Sequence, residues 1–257
     1  MQKFKIIVSY DGTNYQGWQS QPHKKTIANF LQDSFRKVFG KSIKILGASR
    51  TDSGVHALGQ VAQFKTDLKI DEKSMMIGWN NILPDDIFIR ALQKVDDSFN
   101  CLSGVKQKTY YYHLFLSRPL PFIARYGWFY GCINIVDWEK FNKALQLFIG
   151  EHDFRSFCKV EDSSISTIRK IDSINLNTLS RFNCIQIVIK GKGFLRFQIR
   201  RMIGYALDVA RRPNLSVDYL KNILDNPSPI QTLLKAEAKG LFLRKIIYEN
   251  NSEKGEE

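Results

Sequence analysis

The segment Ser49–Ala57, with the sequence SRTDSGVHA, places a cation, a hydroxyl and a carboxylate in consecutive positions. An arginine next to Asp52 stabilises the charged carboxylate, and an ionised, oriented carboxylate can act as a nucleophile or a general base. Asp, Ser and Gly are also common turn formers, so a turn with a surface ion pair is the simpler interpretation of these residues alone. Local chemistry therefore favours the turn, and the rest of the sequence must decide whether Asp52 does chemistry.

A second candidate is the stretch YDGTNYQGWQSQP at residues 10–22, which follows a predicted strand. Tyrosine, tryptophan and glutamine side chains of this loop, among them Tyr15, Trp18 and Gln19, are of the types that proteins place against unpaired RNA bases and backbones. A loop folded over its own Trp18 is the alternative, and the sequence leaves both open.

The third candidate is the stretch GKGFLRFQIRRMIG at residues 191–204, where basic residues alternate with apolar ones. Helical spacing predicts that Arg196 and Arg200 lie one turn apart on the same face. Arg196 and Arg201 fit solvated positions, whereas Arg200 has apolar neighbours and suits a buried ion pair. Asp52 is a candidate partner for Arg200.

The fourth candidate is the strand-like run KQKTYYYH at residues 106–113. Alternation places Tyr110 and Tyr112 on one face, with Tyr111 and His113 on the other. One aromatic pair is expected in the core, and the other could offer a stacking surface.

The net charge of +13 favours a polyanionic partner, and nucleic acid is preferred over membrane because no basic amphipathic surface helix stands out. A merely basic protein is the alternative.

No apolar run is long enough to span a membrane, and the N-terminus does not resemble a secretory signal, so a cytoplasmic location is expected. The four cysteines and four histidines lack metal-ligand spacing, so no metal is expected.

The first half of the chain alternates between strand and helix patterns. Its predicted order is strand 3–12, a helix between Thr26 and Gly40, strand 42–50, strand 59–66, helix 71–82 and strand 87–95. This order resembles the split βαβ arrangement of ferredoxin-like, RRM-like folds.

The second half repeats the order more loosely. It has a strand at 108–116, a helix capped by Asp137, a hairpin at 168–176 and 181–191, a long helix at 194–212 and a closing strand at 240–248. The predicted fold is α+β, with two pseudo-symmetric halves sharing a mostly antiparallel sheet and a catalytic cleft between them. The predicted domains are residues 1–100, residues 101–248 and a disordered tail at 249–257.

Taken together, these stretches resemble the tRNA pseudouridine synthase A (TruA) family. The family pattern G-R-T-D-x-G-V-H-A is similar to Arg50–Ala57, and YDGTNYQGWQ is similar to the family's first loop. GEHDFRSF at Gly150–Phe157, FLRFQIRRMIG and the closing AKGLFLRKIIY resemble three further family segments in the right order. The matches run from residue 6 to residue 248.

The resemblance implies an isomerase that converts uridine to pseudouridine in the anticodon stem-loop of tRNA. It implies no metal and no organic cofactor, and a homodimer with one tRNA lying across both subunits. Extruding the target base from its stack costs a few kcal/mol, which basic and aromatic contacts must offset. A paralogue with another uridine target, or an RNA-binding protein with weak catalysis, is the alternative.

The resemblance also implies roles for individual residues. Asp52 would be the catalytic aspartate, acting either at ribose C1′ or on the C2′ proton, and Tyr110 would stack on the base and help remove the C5 proton. Arg200 would pair with Asp52 and keep it anionic. Substrate binding is expected of Arg50, Thr51, His56, Tyr15, Trp18, Gln19, Lys192 and Arg196.

The sequence departs from the family pattern at several positions. Serines stand at 49 and 53, where glycine and alanine are usual, and Asn100 and Leu102 replace a histidine and an arginine. Glu237 stands at a usual proline position. The presumed chemistry is intact, but the lost charge at Leu102 leaves RNA affinity and the choice of uridine open.

Overall fold

The computed structural model describes residues 1–160, 164–229 and 233–249. The chain forms two compact units: Met1–Lys106 together with the chain from Phe242 onward, and Gln107–Leu241. Both units mix helices with sheet, which confirms the α+β class. Of the tail predicted at 249–257, residues 250–257 lie outside the described residues.

The helices and strands are numbered in chain order. The strands are β1 (Gln2–Tyr10), β2 (Leu46–Gly47), β3 (His56–Thr66), β4 (Ile87–Val95), β5 (Val105–Phe115), β6 (Trp128–Phe129), β7 (Gly150–Asp153), β8 (Ile168–Leu179), β9 (Cys184–Gly191) and β10 (Leu241–Tyr248). The helices are α1 (Ile27–Phe39), α2 (Glu72–Asn80), α3 (Trp138–Gln146), α4 (Gln198–Arg211) and α5 (Val217–Asp225).

In the first unit, β1 lies between β3 and β4 and is antiparallel to both. The short β2 is antiparallel to β3. The closing strand β10 runs parallel to β3, with Phe242 opposite His56. The sequence placed this strand with the second half, whereas its pairing with β3 places it in the first unit, because strand pairing joins segments distant along the chain.

The helix α1 begins and ends where the sequence predicts. The Thr26 side chain accepts the Asn29 N–H, and Gly40 closes the helix in the left-handed region at φ 68°. The buried face of α1 contributes Phe35, whose ring lies 5.4 Å from Phe64 and 4.8 Å from Trp79. This aromatic cluster fills the space between α1, β3 and α2.

In the second unit, the sheet order is β5, β9, β8 and β7, with antiparallel neighbours throughout. The predicted hairpin is confirmed as β8 and β9, and Asp137 caps α3 by accepting the Lys140 N–H. The helix α4 is buried along most of its length. The sequence did not predict α5, which Ser216 caps, or the short β7.

Two predicted elements are shorter in the structure than in the sequence analysis. The strand predicted at 42–50 is reduced to β2, and the long helix begins at Gln198 rather than at Phe194. No helix among the described residues is long and apolar enough to cross a membrane.

The aromatic cluster provides a direct test of the first unit's core. Replacing Phe35, which is 0% exposed, by alanine is expected to lower the free energy of unfolding by about 3–5 kcal/mol, because a cavity replaces a fully buried ring. The matched control is Phe88→Ala on β4, where the ring is 55% exposed. Chemical denaturation of both variants measures the difference, and equal losses would contradict the packing described.

Candidate active site

Asp52 lies on a tight turn that leads into β3. The Val55 N–H donates to the Asp52 carbonyl oxygen at 3.1 Å, and Gly54 adopts φ 77°, which favours glycine. Asp52 is half-buried, while Ser53 is exposed. The turn predicted from Asp-Ser-Gly is therefore present, and its first residue is the candidate catalytic carboxylate.

The loop between β1 and α1 packs directly on this turn. The Trp18 N–H donates to the Thr51 carbonyl oxygen at 3.1 Å. The Tyr15 carbonyl oxygen accepts both the Gly54 N–H at 3.3 Å and the Ser53 hydroxyl at 3.1 Å. Because most of these bonds use backbone atoms, they fix the path of the chain on both sides of Asp52.

Two glycines permit this close approach. A Cβ on Gly12 would lie 2.0 Å from the Val55 carbonyl oxygen, far inside van der Waals contact. A Cβ on Gly17 would lie 2.6 Å from the Thr51 carbonyl oxygen, and Gly17 also has φ 88°. Residues with side chains cannot occupy either position without separating the loop from the turn.

Thr51 is buried behind the turn, where its hydroxyl and the Tyr10 hydroxyl lie 2.7 Å apart. Tyr10 is the last residue of β1 and is itself 4% exposed. This buried hydrogen bond ties the residue before Asp52 to the sheet. The Thr51 side chain is therefore engaged inside the fold and supports the turn.

His56, at the start of β3, is 1% exposed and stacks on Phe242 with ring centroids 4.6 Å apart. Its Nδ1 lies 3.1 Å from the Gly12 nitrogen and 3.1 Å from Asp11 Oδ1. An unprotonated Nδ1 accepts the Gly12 N–H, whereas a protonated Nδ1 donates to the Asp11 carboxylate. In both states His56 connects the loop to β3, so its buried side chain supports the turn from inside the fold.

Burial of Asp11 disfavours its ionised form, but hydrogen bonds from His56 and Thr13 outweigh burial and lower the pKa of this carboxyl group well below its usual range. The Thr13 N–H and hydroxyl donate to Oδ1 at 2.9 and 2.5 Å. Asp11 is therefore ionised at neutral pH and organises the first turn of the loop.

Tyr15 and Trp18 are each 2% exposed, which fits the alternative of a loop folded over its own tryptophan. The Tyr15 hydroxyl donates to the Asp86 carboxylate, and burial together with this bond raises the pKa of the phenol. The Trp18 ring packs so closely on Gly47 that a Cβ there would lie 2.2 Å from Nε1. Both rings are buried and contribute to the shape of the loop.

Several side chains around the turn are exposed, namely Gln19, Arg50 and Ser53. The buried Ser49 is held by the Gln60 amide, which accepts the Ser49 N–H at 3.2 Å and donates to its carbonyl oxygen at 2.6 Å. Serine at position 49 is thus compatible with a fixed backbone.

Leu102 is 56% exposed, and its N–H donates to the Asn100 side chain at 3.0 Å.

In the second unit, the predicted alternation along β5 is confirmed. Tyr110 and Tyr112 are buried, whereas Tyr111 and His113 are half-buried on the other face. The Tyr110 ring meets Phe194 edge-on, with centroids 5.1 Å apart. The Tyr112 hydroxyl donates to the Glu237 carbonyl oxygen at 3.0 Å, so the chain at Glu237 is bound through its backbone.

Arg200 lies in the first turn of α4, is 9% exposed and donates from Nε to the Ala236 carbonyl oxygen at 2.8 Å.

The prediction that Arg196 and Arg200 share a helix face is wrong. Phe197 caps α4 with φ 66°, so Arg196 precedes the helix and follows a different backbone path. Arg196 and Lys192 are exposed. Asp52 and Arg200 belong to different units, and their pairing stays a prediction.

The described residues contain no group of three or more His, Cys, Asp or Glu side chains arranged to hold a metal ion. The structure adds residues that the sequence analysis did not select. Tyr10, Asp11 and Asp86 fix the loop, and the Asp-Gly pair at the end of the first predicted strand was the available signal for Tyr10 and Asp11.

The chain matches the family model described as tRNA pseudouridine synthase over residues 6–102 and 144–249. It belongs to this family of RNA-modifying isomerases. A tRNA pseudouridine synthase A of Thermodesulfovibrio yellowstonii is 36% identical over 258 residues, covering 96% of this chain and 100% of that protein. Proteins of the same name from Thermoanaerobacter sp. (strain X514) and Brachyspira hyodysenteriae are 38% and 32% identical, covering 96% and 97% of this chain and 100% of each relative.

The close approach at Gly12 predicts a matched pair of outcomes. Gly12→Ala is expected to lower the free energy of unfolding by about 1–3 kcal/mol, because its Cβ would overlap the Val55 carbonyl. Gly131→Ala, where a Cβ would meet nothing within 4 Å, is expected to change stability by less than about 0.5 kcal/mol. Denaturant titration measures both, and a neutral Gly12→Ala would contradict the contact.

The depressed pKa of Asp11 predicts how stability depends on pH. A carboxyl whose pKa is lower in the folded than in the unfolded chain stabilises the fold above its unfolded pKa of about 4 and loses that contribution as pH falls. Asp11→Asn is therefore expected to destabilise the protein most at neutral pH. Its difference from the wild type should shrink below about pH 4. Unfolding measured across this range tests the sign, and a constant difference would contradict it.

Proposed function

We propose that the protein converts uridine to pseudouridine in the anticodon stem-loop of tRNA, with Asp52 as the catalytic carboxylate. The observation that supports this best is the fixed presentation of Asp52, within a chain that belongs to the tRNA pseudouridine synthase family. Asp52 is half-buried on a turn that Thr51 and His56 hold from behind. A carboxylate held in this way can reach a substrate without first ordering its own loop.

The proposed reaction breaks the bond between ribose C1′ and uracil N1. In one route the Asp52 carboxylate attacks C1′ and uracil departs with the bonding electrons. In the other route the carboxylate removes the C2′ proton, which gives a glycal and the same departing uracil. The base then turns and its C5 bonds to C1′. In the first route C5 displaces the Asp52 carboxylate from C1′, and in the second route Asp52 returns the proton to C2′ as C5 adds to C1′. C5 then loses its proton and N1 gains one, so atoms and electrons balance without an added reactant.

Tyr110 and Arg200 are the further proposed catalytic groups. Tyr110 sits on a strand with its ring braced by Phe194, which suits a phenol that contacts the uracil ring and helps remove the C5 proton. Arg200 is buried and anchored at Ala236, so its charge has a defined position. We propose that this charge keeps Asp52 anionic during the reaction.

The exposed residues Gln19, Arg50, Lys192 and Arg196 are the proposed direct contacts to RNA. The buried Thr51, His56, Tyr15 and Trp18 are proposed to assist by shaping the loop. A net charge of +13 suits a polyanionic substrate. We also propose that the chain forms a homodimer, that its two halves are pseudo-symmetric and ferredoxin-like, and that the protein is cytoplasmic.

Tritium release from tRNA labelled at uridine C5 tests the reaction, because the C5 proton leaves only when the new bond forms. Asp52→Asn is expected to reduce release at least about a hundred-fold, since the amide neither attacks nor accepts a proton. Binding of tRNA should stay close to that of the wild type. The matched control, Asp225→Asn, removes an exposed carboxylate at the end of α5 and should leave release unchanged.

Turnover by the Asp52→Asn variant would show that another group is the nucleophile or base. An RNA-binding protein with weak catalysis predicts a different result: the wild type would bind tRNA but release no label above background. Sequencing pseudouridines in tRNA from cells that lack the protein would identify which uridines it modifies.

A further inference from the structure

Both helices of the first unit pack on the same face of its sheet. The Phe35 ring of α1 and the Trp79 ring of α2 each lie 5.4 Å from the Phe64 ring of β3. The Phe4 ring of β1 stacks on Phe64, also at 5.4 Å, so the even-numbered residues of β1 share this face. The odd-numbered residues, among them Ser9, lie on the opposite side, which we call the Ser9 face.

Phe88 lies on the Ser9 face. It stands directly opposite Ser9 in the antiparallel pair of β4 and β1, and residues paired in this way project from the same side of a sheet. Its ring is 55% exposed, although phenylalanine is usually buried. A single exposed apolar ring is common on protein surfaces, so the residues around it decide whether it serves a purpose.

Arg90 spans the same face. Its Nη1 donates to the Leu58 carbonyl oxygen of β3 at 2.8 Å, although β1 separates β4 from β3. Because Arg90 is exposed and helices cover the other face, its side chain crosses the sheet on the Ser9 face. The bond to Leu58 fixes the guanidinium, which carries further N–H donors for a ligand. We refer to Leu58, which is 36% exposed, Phe88 and Arg90 as the Phe88 patch.

The Phe88 patch lies at the end of the sheet that carries the Asp52 turn. Leu58 is the third residue of β3, which begins four residues after Asp52. Tyr10 of β1, whose hydroxyl lies 2.7 Å from the Thr51 hydroxyl, is paired with the residue before Phe88. Strand pairing therefore brings the patch and the turn to the same part of the first unit, and RNA bound at Asp52 can extend over the patch.

The chemistry of the patch matches unpaired RNA. Aromatic rings and guanidinium planes are the groups on which proteins stack splayed bases, and a guanidinium also binds phosphate. Two carboxylates at this end of the sheet, Asp11 and Asp86, already accept hydrogen bonds from Thr13 and Tyr15. A second copy of the chain is a less suitable occupant, because two molecules of charge +13 repel each other, whereas a polyanion is attracted.

We propose that the Phe88 patch binds nucleotides next to the target uridine, with the Phe88 ring stacked on an unpaired base and Arg90 bound to a backbone phosphate. This inference rests on the proposed function, because it takes the loop of a tRNA stem-loop as the ligand. It adds a contact surface for RNA on the sheet of the first unit, beyond the exposed residues around the Asp52 turn. It also gives a reason for an exposed phenylalanine at position 88.

Equilibrium binding of a tRNA transcript tests the ring. Phe88→Ala is expected to weaken binding about five-fold or more, because the stacking of one base is lost. Its thermal stability should match that of the wild type, since the ring is exposed. Phe88→Tyr keeps an aromatic face and should bind within about two-fold of the wild type. The matched control is Ile77→Ala on α2, a side chain 49% exposed on the helix-covered side, which should leave affinity unchanged.

The same measurement over a range of KCl concentrations tests the arginine. Arg90→Gln is expected to reduce the slope of log affinity against log salt by about one, as the loss of one phosphate contact requires. The matched control is Arg36→Gln on α1, an exposed arginine that lies 4.0 Å from Asp33. This control should leave the slope unchanged.

Wild-type affinity and salt slope in both Phe88→Ala and Arg90→Gln would overturn the proposal, as would equal losses in the two control variants. Sedimentation of the same samples tests a second copy as the occupant. A Phe88→Ala variant that sediments as a smaller species than the wild type, with unchanged tRNA affinity, would assign the patch to self-association and overturn RNA binding.

Tritium release is measured separately on the wild type. Binding of tRNA without release of label would count against the proposed isomerase function. The affinities of the Phe88 and Arg90 variants would still decide whether the Phe88 patch holds RNA.

Discussion

The first unit depends on one close contact, the packing of the loop after β1 against the turn that carries Asp52. Gly12 and Gly17 permit backbone atoms to meet where any Cβ would intrude, and hydrogen bonds from Trp18 and to Tyr15 then lock the two segments together. Thr51 and His56 add buried anchors on the side away from solvent. The backbone that carries Asp52 is thereby fixed, so a ligand that binds here would not have to order a mobile loop.

The second unit holds its candidate groups by a different means. Tyr110 is fixed by strand pairing and by the edge of Phe194, while Arg200 is fixed by the carbonyl oxygen of Ala236. A buried guanidinium needs such partners, because an unsatisfied buried charge costs far more than one hydrogen bond. Both units therefore carry their candidate groups on rigid elements, which suits a site that relies on positioning.

Basic residues give this protein a strong overall positive charge. The chain has 38 Lys and Arg but 25 Asp and Glu, and this excess of positive charge attracts a polyanion. The attraction weakens as salt rises and does not depend on the sequence of the polyanion. Arg196, Arg200 and Lys235 lie within cation–π distance of the Phe197 ring.

The sequence by itself determined the features that local chemistry controls. Thr26 and Asp137 capped the expected helices, the alternation of Tyr110 to His113 assigned the faces of β5, and Asp-Ser-Gly formed the expected turn, because caps, pleats and turns need only neighbouring residues. The motif resemblance also identified the family. Only the tertiary structure decided that Trp18 and His56 are buried, that β10 pairs with β3 and that Phe197 interrupts the helical spacing of Arg196 and Arg200. Each of these depends on contacts between segments far apart in the chain, which no local pattern records.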